Sequence, residues 1–520
     1  MTTSRSLTTV ALLLPLLGIL IATVAAKTGQ DAARYVQTVE IQKGRYYWQN
    51  ELAQARLRND PPEKIAELER IFAEHLARQP TSYTEPGRQF TNWDAYRYEE
   101  IVLSGYIYRH DQPGPEYDPF VKDPNTGERR IKNVVWYPLY PLLGIAVVQL
   151  TGLPAHHALT LVSSICIIAT SLLLIKFTRN HFLQRLGHSE FSTENAESAS
   201  LFTLALLLFA PCSIFLYANF TESLFTLLLL AFLYCLQQKW WWRAAAVAAF
   251  AAACRSQGVL FGPLLAVFYL IEPRREDDTE GGKISYIVPP VSLRAFVSSC
   301  FTRLPMAFGL GLVSSIGIVA YMLYLQITFH DALAFMHAQY GWNVGINRQT
   351  LATALNPAHA LSDFFFYLLY FRPMDWPRFW EACCLFWPPA VLFFGRRWLT
   401  RELAMIGWIL WALPYVSNSI AGNPPEATRW MSMGRFMAVL IPAQIILGAW
   451  LAGLKPAVKW KSAAAEPQAI AVPSVASVSS SSPNLVKDLQ FSPRLWITLS
   501  LSLVAFTLFC YKFGTGEWIG

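Results

Sequence analysis

Charge is what this chain has least of. Only 15% of its 520 residues are Asp, Glu, Lys or Arg, against about 25% in a soluble domain. That deficit excludes a water-facing surface over most of the chain. Cysteines number eight, at 166, 212, 235, 254, 300, 383, 384 and 510, with no Cys-x-x-Cys pair and no metal-type Cys/His spacing. They read as small buried hydrophobes, and the adjacent Cys383 and Cys384 point apart on a helix, which makes them poor disulfide partners. No metal and no cofactor is expected. The net charge of +7 raises nucleic acid as a partner, but the basic residues lie in short segments between apolar runs. That is the positive-inside bias of a membrane protein, so no nucleic acid partner is expected.

What is present is apolar sequence. The chain is 53% hydrophobic and 14% aromatic. Runs of near-spanning length recur at roughly 8–26, 134–151, 155–175, 198–218, 222–237, 244–271, 305–327, 379–395, 403–420, 433–453 and 495–512. A span needs about 20 apolar residues, and several runs meet that. The expectation is an all-α polytopic membrane protein, with the lipid bilayer as its first partner.

The chain divides by composition. Residues 1–26 read as an uncleaved signal anchor with a cytoplasmic N-terminus, and the small residues Ala25 and Ala26 leave cleavage as the alternative. Residues 27–133 form a large first non-cytoplasmic loop, with two helices predicted over 45–79, broken at Pro61-Pro62. Residues 134–453 make the multi-span core. Residues 454–494 form a cytoplasmic loop, low in complexity over 462–486, and 495–520 hold the last span. Basic segments at 239–243, 272–303, 396–401 and 455–494 are assigned to the cytoplasm. The run 244–271 then becomes a hairpin turning near 254–258. The short run 134–151, with Pro138 and Pro141, reads as re-entrant or bent, because two apolar runs lie where the charges require an odd number of crossings.

This assignment gathers the polar segments at one face: 92–106, 136–143, 209–225, 252–263, 329–343 and 428–442. Ionisable groups at membrane depth are costly and functional by default, and Arg255, inside an apolar hairpin, is the clearest case. The blander alternatives are equally physical. Asp94 reads as a surface carboxylate or helix cap, Asp331 as a cap for the helix that follows, and Glu222 as a carboxylate favoured by a helix dipole. His156, His157 and His337 read as satisfied interfacial histidines. Asn219-Phe220-Thr221 matches a glycosylation sequon but hugs the membrane.

Six of these stretches, in order, resemble the PIG-V-like family, relatives of GPI mannosyltransferase 2 within the GT-C glycosyltransferases. The motif residues are Trp93-Asp94, Tyr137 through Pro141, Phe209-Ala210-Pro211 with Thr221 through Phe225, and Cys254-Arg255-Ser256-Gln257-Gly258. His330 through Trp342 and Ser432 with Gly434-Arg435-Phe436 complete them. His330 and Ala332 stand where the family pattern has glycine and proline. The resemblance covers residues 90 to 450. It implies a GT-C-type transmembrane helical bundle and transfer of a hexose, mannose in the family, from a polyprenyl-phosphate-linked donor at the periplasmic or lumenal face. A bacterial inner membrane is the expected location.

That chemistry makes demands that the residues meet. A base must take a proton from the acceptor hydroxyl, and Asp94 is the candidate. The leaving lipid phosphate needs its charge stabilised, and the planar fork of arginine suits phosphate; Arg255 and Arg435 are the candidates, with Arg429 behind them. Trp93 and Trp342 offer stacking surfaces for sugar. Arg97 and Tyr98, three and four residues after Asp94, are placed to orient it or hold the acceptor, while Glu99 and Glu100 are expected to face water. Asn219, Glu222, Asp331 and Gln339 complete the expected substrate-binding set. The acceptor is a glycolipid, a glycan or a protein. The competing class is a lipid-linked-sugar transporter or flippase, which should carry internal repeats and midplane charges. No repeat is visible.

Overall fold

A computed structural model of the chain describes residues 2–78, 87–107, 120–122, 129–131, 133–186, 190–272, 293–340, 348–369, 376–417, 432–454 and 493–515. In chain order the helices are α1 (Thr2–Leu57), α2 (Pro62–Ala77), α3 (Asp94–Ser104), α4 (Leu139–Thr151), α5 (Ala155–Leu186), α6 (Glu190–Phe209) and α7 (Ile214–Tyr217). There follow α8 (Glu222–Gln237), α9 (Trp241–Cys254), α10 (Phe261–Ile271), α11 (Leu293–Phe329), α12 (Ala334–Tyr340), α13 (Arg348–Leu355) and α14 (Pro357–Leu369). The chain continues with α15 (Trp376–Cys383), α16 (Trp387–Phe394), α17 (Arg401–Ser417), α18 (Met433–Ala438), α19 (Ile441–Leu451) and α20 (Pro493–Gly514). A short hairpin, β1 (Phe120–Lys122) antiparallel to β2 (Arg129–Ile131), interrupts the helices.

Four helical stretches among the described residues are long and apolar enough to cross a membrane: 7–57, 155–184, 302–329 and 497–514. A fifth appears if Thr193–Phe209 and Pro211–Tyr217, bent by 69° at Pro211, form one span. Several expected spans are shorter. The 16 residues of α8 reach about 24 Å, against a hydrocarbon core about 30 Å thick. The runs 379–395 and 433–453 are each broken, into α15 with α16 and α18 with α19. Pro388 and Pro442 begin the second piece of each, where a missing N–H costs a helix nothing.

The largest departure is at the N-terminus. The helix does not end where hydropathy falls at residue 27; α1 runs on unbroken to Leu57. Backbone hydrogen bonds are indifferent to hydropathy, and the polar half is rich in Ala, Gln, Glu and Arg, which favour helix. The break comes at residues 58–61, before Pro62, with Asn59 at φ 52°. Helix α2 then folds back on α1. Arg45 donates from Nε to the His75 carbonyl (3.1 Å) and from Nη2 to the Leu76 and Arg78 carbonyls (both 2.8 Å), capping the end of α2.

The predicted hairpin at 244–271 is present as α9 and α10. Its base is closed by Lys239 Nζ on Glu272 Oε2 (2.7 Å) and by Trp241 edge-on to Tyr269 (ring centres 5.3 Å apart). Its tip is a 3₁₀ turn, Ser256–Leu260. Only glycine fits at 258, because a Cβ there would lie 2.0 Å from the Ala251 carbonyl oxygen. Antiparallel α8 packs alongside, so the start of α8 and the tip of the hairpin meet.

Candidate functional site

Four charged side chains from four elements meet at that junction. Glu222, at the first turn of α8, is fully buried. Its Oε1 accepts from Arg255 Nη1 (2.5 Å), at the hairpin tip, and from Arg435 Nε, on α18. Arg435 Nη1 donates to Asp94 Oδ2 (2.6 Å), at the start of α3. The side chains grade outward: Glu222 is 0% exposed, Arg435 7%, Arg255 10% and Asp94 33%. Asp94 thus stands at the open rim of an otherwise buried cluster.

Aromatic rings wall the arginines. The Arg435 guanidinium lies 4.5 Å from the Phe220 ring centre and 5.6 Å from that of Phe215; Arg255 lies 4.7 Å from that of Phe436. Such rings exclude water while favouring a cation. The two positive and two negative charges cancel, and that cancellation is what makes burial tolerable. Two further valences stay open. Glu222 Oε2 is buried without a hydrogen-bond partner, and Asp94 Oδ1 makes no hydrogen bond among the described residues.

The backbone that delivers these groups is unusual in one respect. Trp93 (φ 52°) immediately precedes the helix that carries Asp94, and Ser432 (φ 70°) precedes the one that carries Arg435. Left-handed conformations at non-glycine residues cost roughly 1–3 kcal/mol and persist where surrounding contacts impose them. Those contacts are present. Trp93 packs edge-on to Phe513 of α20 (5.1 Å), and Asn92 Nδ2 donates to the Phe513 carbonyl (2.6 Å). The Ser432 N–H donates to Glu381 Oε1 (2.7 Å). Gly434 lets α18 approach the turn after α6, since a Cβ there would lie 2.6 Å from Cys212 Sγ.

The other expected site residues divide. Tyr98 is buried beside the cluster, edge-on to Tyr140 (5.2 Å). Burial pushes its phenol well above the ordinary range, against the opposing pull of Arg435. Arg97 pairs with Glu100 (3.1 Å) instead of orienting Asp94; Arg435 performs that task. Asn219 is fully buried with its polar atoms engaged: Oδ1 accepts from Thr160 (2.7 Å), and Nδ2 donates to Thr91 Oγ1 (3.2 Å) and the His156 carbonyl (3.0 Å). It clamps the segment before α3 onto α5. Asp331 caps α12 through the Leu333 N–H (3.0 Å) and pairs with His337 Nδ1 (2.8 Å). Gln339 lies on α12, and Arg429 and Trp342 fall outside the described residues.

Two expectations are corrected. Glu99 does not face water: it is buried, paired with Arg88 and 3.5 Å from His156 Nδ1. Glu100 is held half-buried by Arg97. Glu99 meets Arg88 of the preceding loop and His156 of α5, while Glu100 meets Arg97 on its own helix. The sequence reading missed Phe513, Asn92 and Glu381 as parts of the site. An acid in an apolar stretch, as Glu381 is, was the one available signal. Among the described residues no three His, Cys, Asp or Glu side chains come together as a metal site. No family model matches the chain, and no curated protein matches it.

Proposed function

We propose that this protein is a multi-pass membrane glycosyltransferase that moves a hexose from a polyprenyl-phosphate-linked donor to a hydroxyl of a glycolipid, glycan or protein. The observation that carries the reading is the buried pair Arg255 and Arg435, gathered on Glu222, with Asp94 at the rim. Two convergent guanidiniums suit a phosphate, and a carboxylate at the rim suits a general base. Asp94 would take the acceptor proton while the arginines stabilise the departing lipid phosphate. Displacement from the face opposite the leaving group inverts the sugar carbon.

Mannose, the GT-C-type bundle and membership of the PIG-V-like family rest on the ordered motifs. One structural detail supports them: His330, where the family pattern has glycine, sits in the left-handed region at φ 59°. The basic segments put the hairpin base on the cytoplasmic side, and so the cluster at its tip toward the periplasmic face of an inner membrane.

The test is to incubate purified protein with polyprenyl-phosphate-mannose and envelope lipids. A new mannosylated lipid or glycan is the expected product. Asp94→Asn should lower turnover by a factor on the order of 10² to 10⁴ with donor binding intact. Lipid moved across vesicles with no transfer would instead support a transporter. Near-normal turnover in Asp94→Asn would exclude Asp94 as the base.

A further inference from the structure

We propose that Arg435 is shared in time between the base and the leaving group: proton uptake by Asp94 releases one end of the arginine to the phosphate. This rests on the glycosyl-transfer reading and assigns Arg435 a coupling role within it.

The geometry of one guanidinium carries the inference. Its Nε is bound to Glu222, which is fully buried and also holds Arg255. Its Nη1 is bound to Asp94, the most exposed member of the cluster. The Nε end is therefore an anchor, and the Nη1 end is exchangeable. The Phe220 and Phe215 rings, edge-on to each other, lie against the guanidinium.

The charges follow the chemistry step by step. At rest, Asp94 and Glu222 cancel Arg255 and Arg435, so the cluster presents no net charge to a phosphodiester donor. The acceptor O–H then gives its proton to Asp94, and its oxygen forms a bond to the anomeric carbon. The bond from that carbon to the phosphate oxygen breaks, and its electron pair stays on the phosphate. The phosphate gains a negative charge as Asp94 loses one. Neutral Asp94 no longer holds Arg435 Nη1 by charge, and the cluster becomes net positive where the phosphate has become more negative. Glu222, buried and held by two arginines, stays charged throughout. Stabilisation thus appears at the transition state and is withheld from the ground state, which is the condition for raising kcat.

The experiment measures binding, so it does not depend on turnover. A short polyprenyl monophosphate is titrated into detergent-solubilised wild type and Asp94→Asn, with the matching prenyl alcohol as control. Asparagine mimics the neutral, protonated state of Asp94. The variant should bind the monophosphate at least roughly tenfold more tightly, the smallest effect expected when one adjacent charge is removed. Its affinity for the alcohol should not change. Adding Arg435→Lys to Asp94→Asn should abolish most of that gain, and unchanged alcohol binding reports that the fold is intact. Equal monophosphate affinity in wild type and Asp94→Asn, with Arg255→Lys weakening both, would overturn the sharing and leave the phosphate reading standing. Monophosphate bound no better than the alcohol by either protein would overturn the phosphate reading and the sharing with it.

Discussion

Glu222→Gln is the substitution with the largest consequence that can be worked from the structure. It keeps the shape of the side chain and one acceptor oxygen but deletes the charge that both arginines share. Unit charges about 4 Å apart interact by about 4 kcal/mol at an effective dielectric constant of about 20. The wild-type cluster has attractions of that order from Glu222 to each guanidinium, opposed by repulsion between the guanidiniums. The variant keeps the repulsion, with Asp94 alone to offset it. Amide hydrogen bonds and some water entry recover part of the loss. The net cost should fall at about 3–5 kcal/mol, the usual result of removing one partner from a buried pair. Denaturant unfolding in micelles, followed by tryptophan fluorescence, measures it. Adding Arg255→Met restores the charge balance, so the double variant should be more stable than Glu222→Gln alone. A Glu222→Gln protein within about 0.5 kcal/mol of wild type would refute the reasoning, because a buried shared counter-ion cannot be removed so cheaply.

Arg255→Lys keeps the charge and loses the fork, so donor use should fall, as a reduced kcat/KM for the lipid donor, while unfolding changes less than in Arg255→Ala. Gly434→Ala forces a methyl group against Cys212 Sγ and should cost about 1–3 kcal/mol by the same unfolding assay; Gly434→Ala with Cys212→Ala should recover part of it. Tyr98 is held neutral in the folded protein, its pKa raised above the unfolded value. Its contribution to stability is therefore complete below about pH 10 and is lost as pH rises beyond that, toward the raised folded value. Tyr98→Phe should flatten that alkaline loss in a pH series of unfolding midpoints.

Much of the site was legible from local signals. Arg255 stood out because a charge inside an apolar run is expensive, and the hairpin around it followed from basic flanks and a Gly-containing break. Trp93-Asp94 stood out as a motif in an ordered series. Glu222 was visible as an acid, but not as a counter-ion. The change at residue 27 is one of composition and not a helix end, because helix propensity does not change there. Glu99 misled because a polar run next to a membrane looks like surface until its partners, the Arg88 guanidinium and the His156 ring, are seen to fold over it.

The sequence by itself determined that the chain is helical and apolar enough to span a membrane, that a break falls at Pro61-Pro62 and a hairpin at 244–271, and which residue types were available for chemistry. These are local properties: periodicity, capping and the cost of a charge in an apolar stretch are all read within a few turns. Only the tertiary structure decided the pairings. Arg435 meets Asp94 across 341 positions, and Asn92 meets Phe513 across 421. A carboxylate carries no record in its neighbours of which arginine will neutralise it. That choice is made by packing, when α3, α8, the hairpin tip and α18 bring Asp94, Glu222, Arg255 and Arg435 together and the opposite charges offset one another.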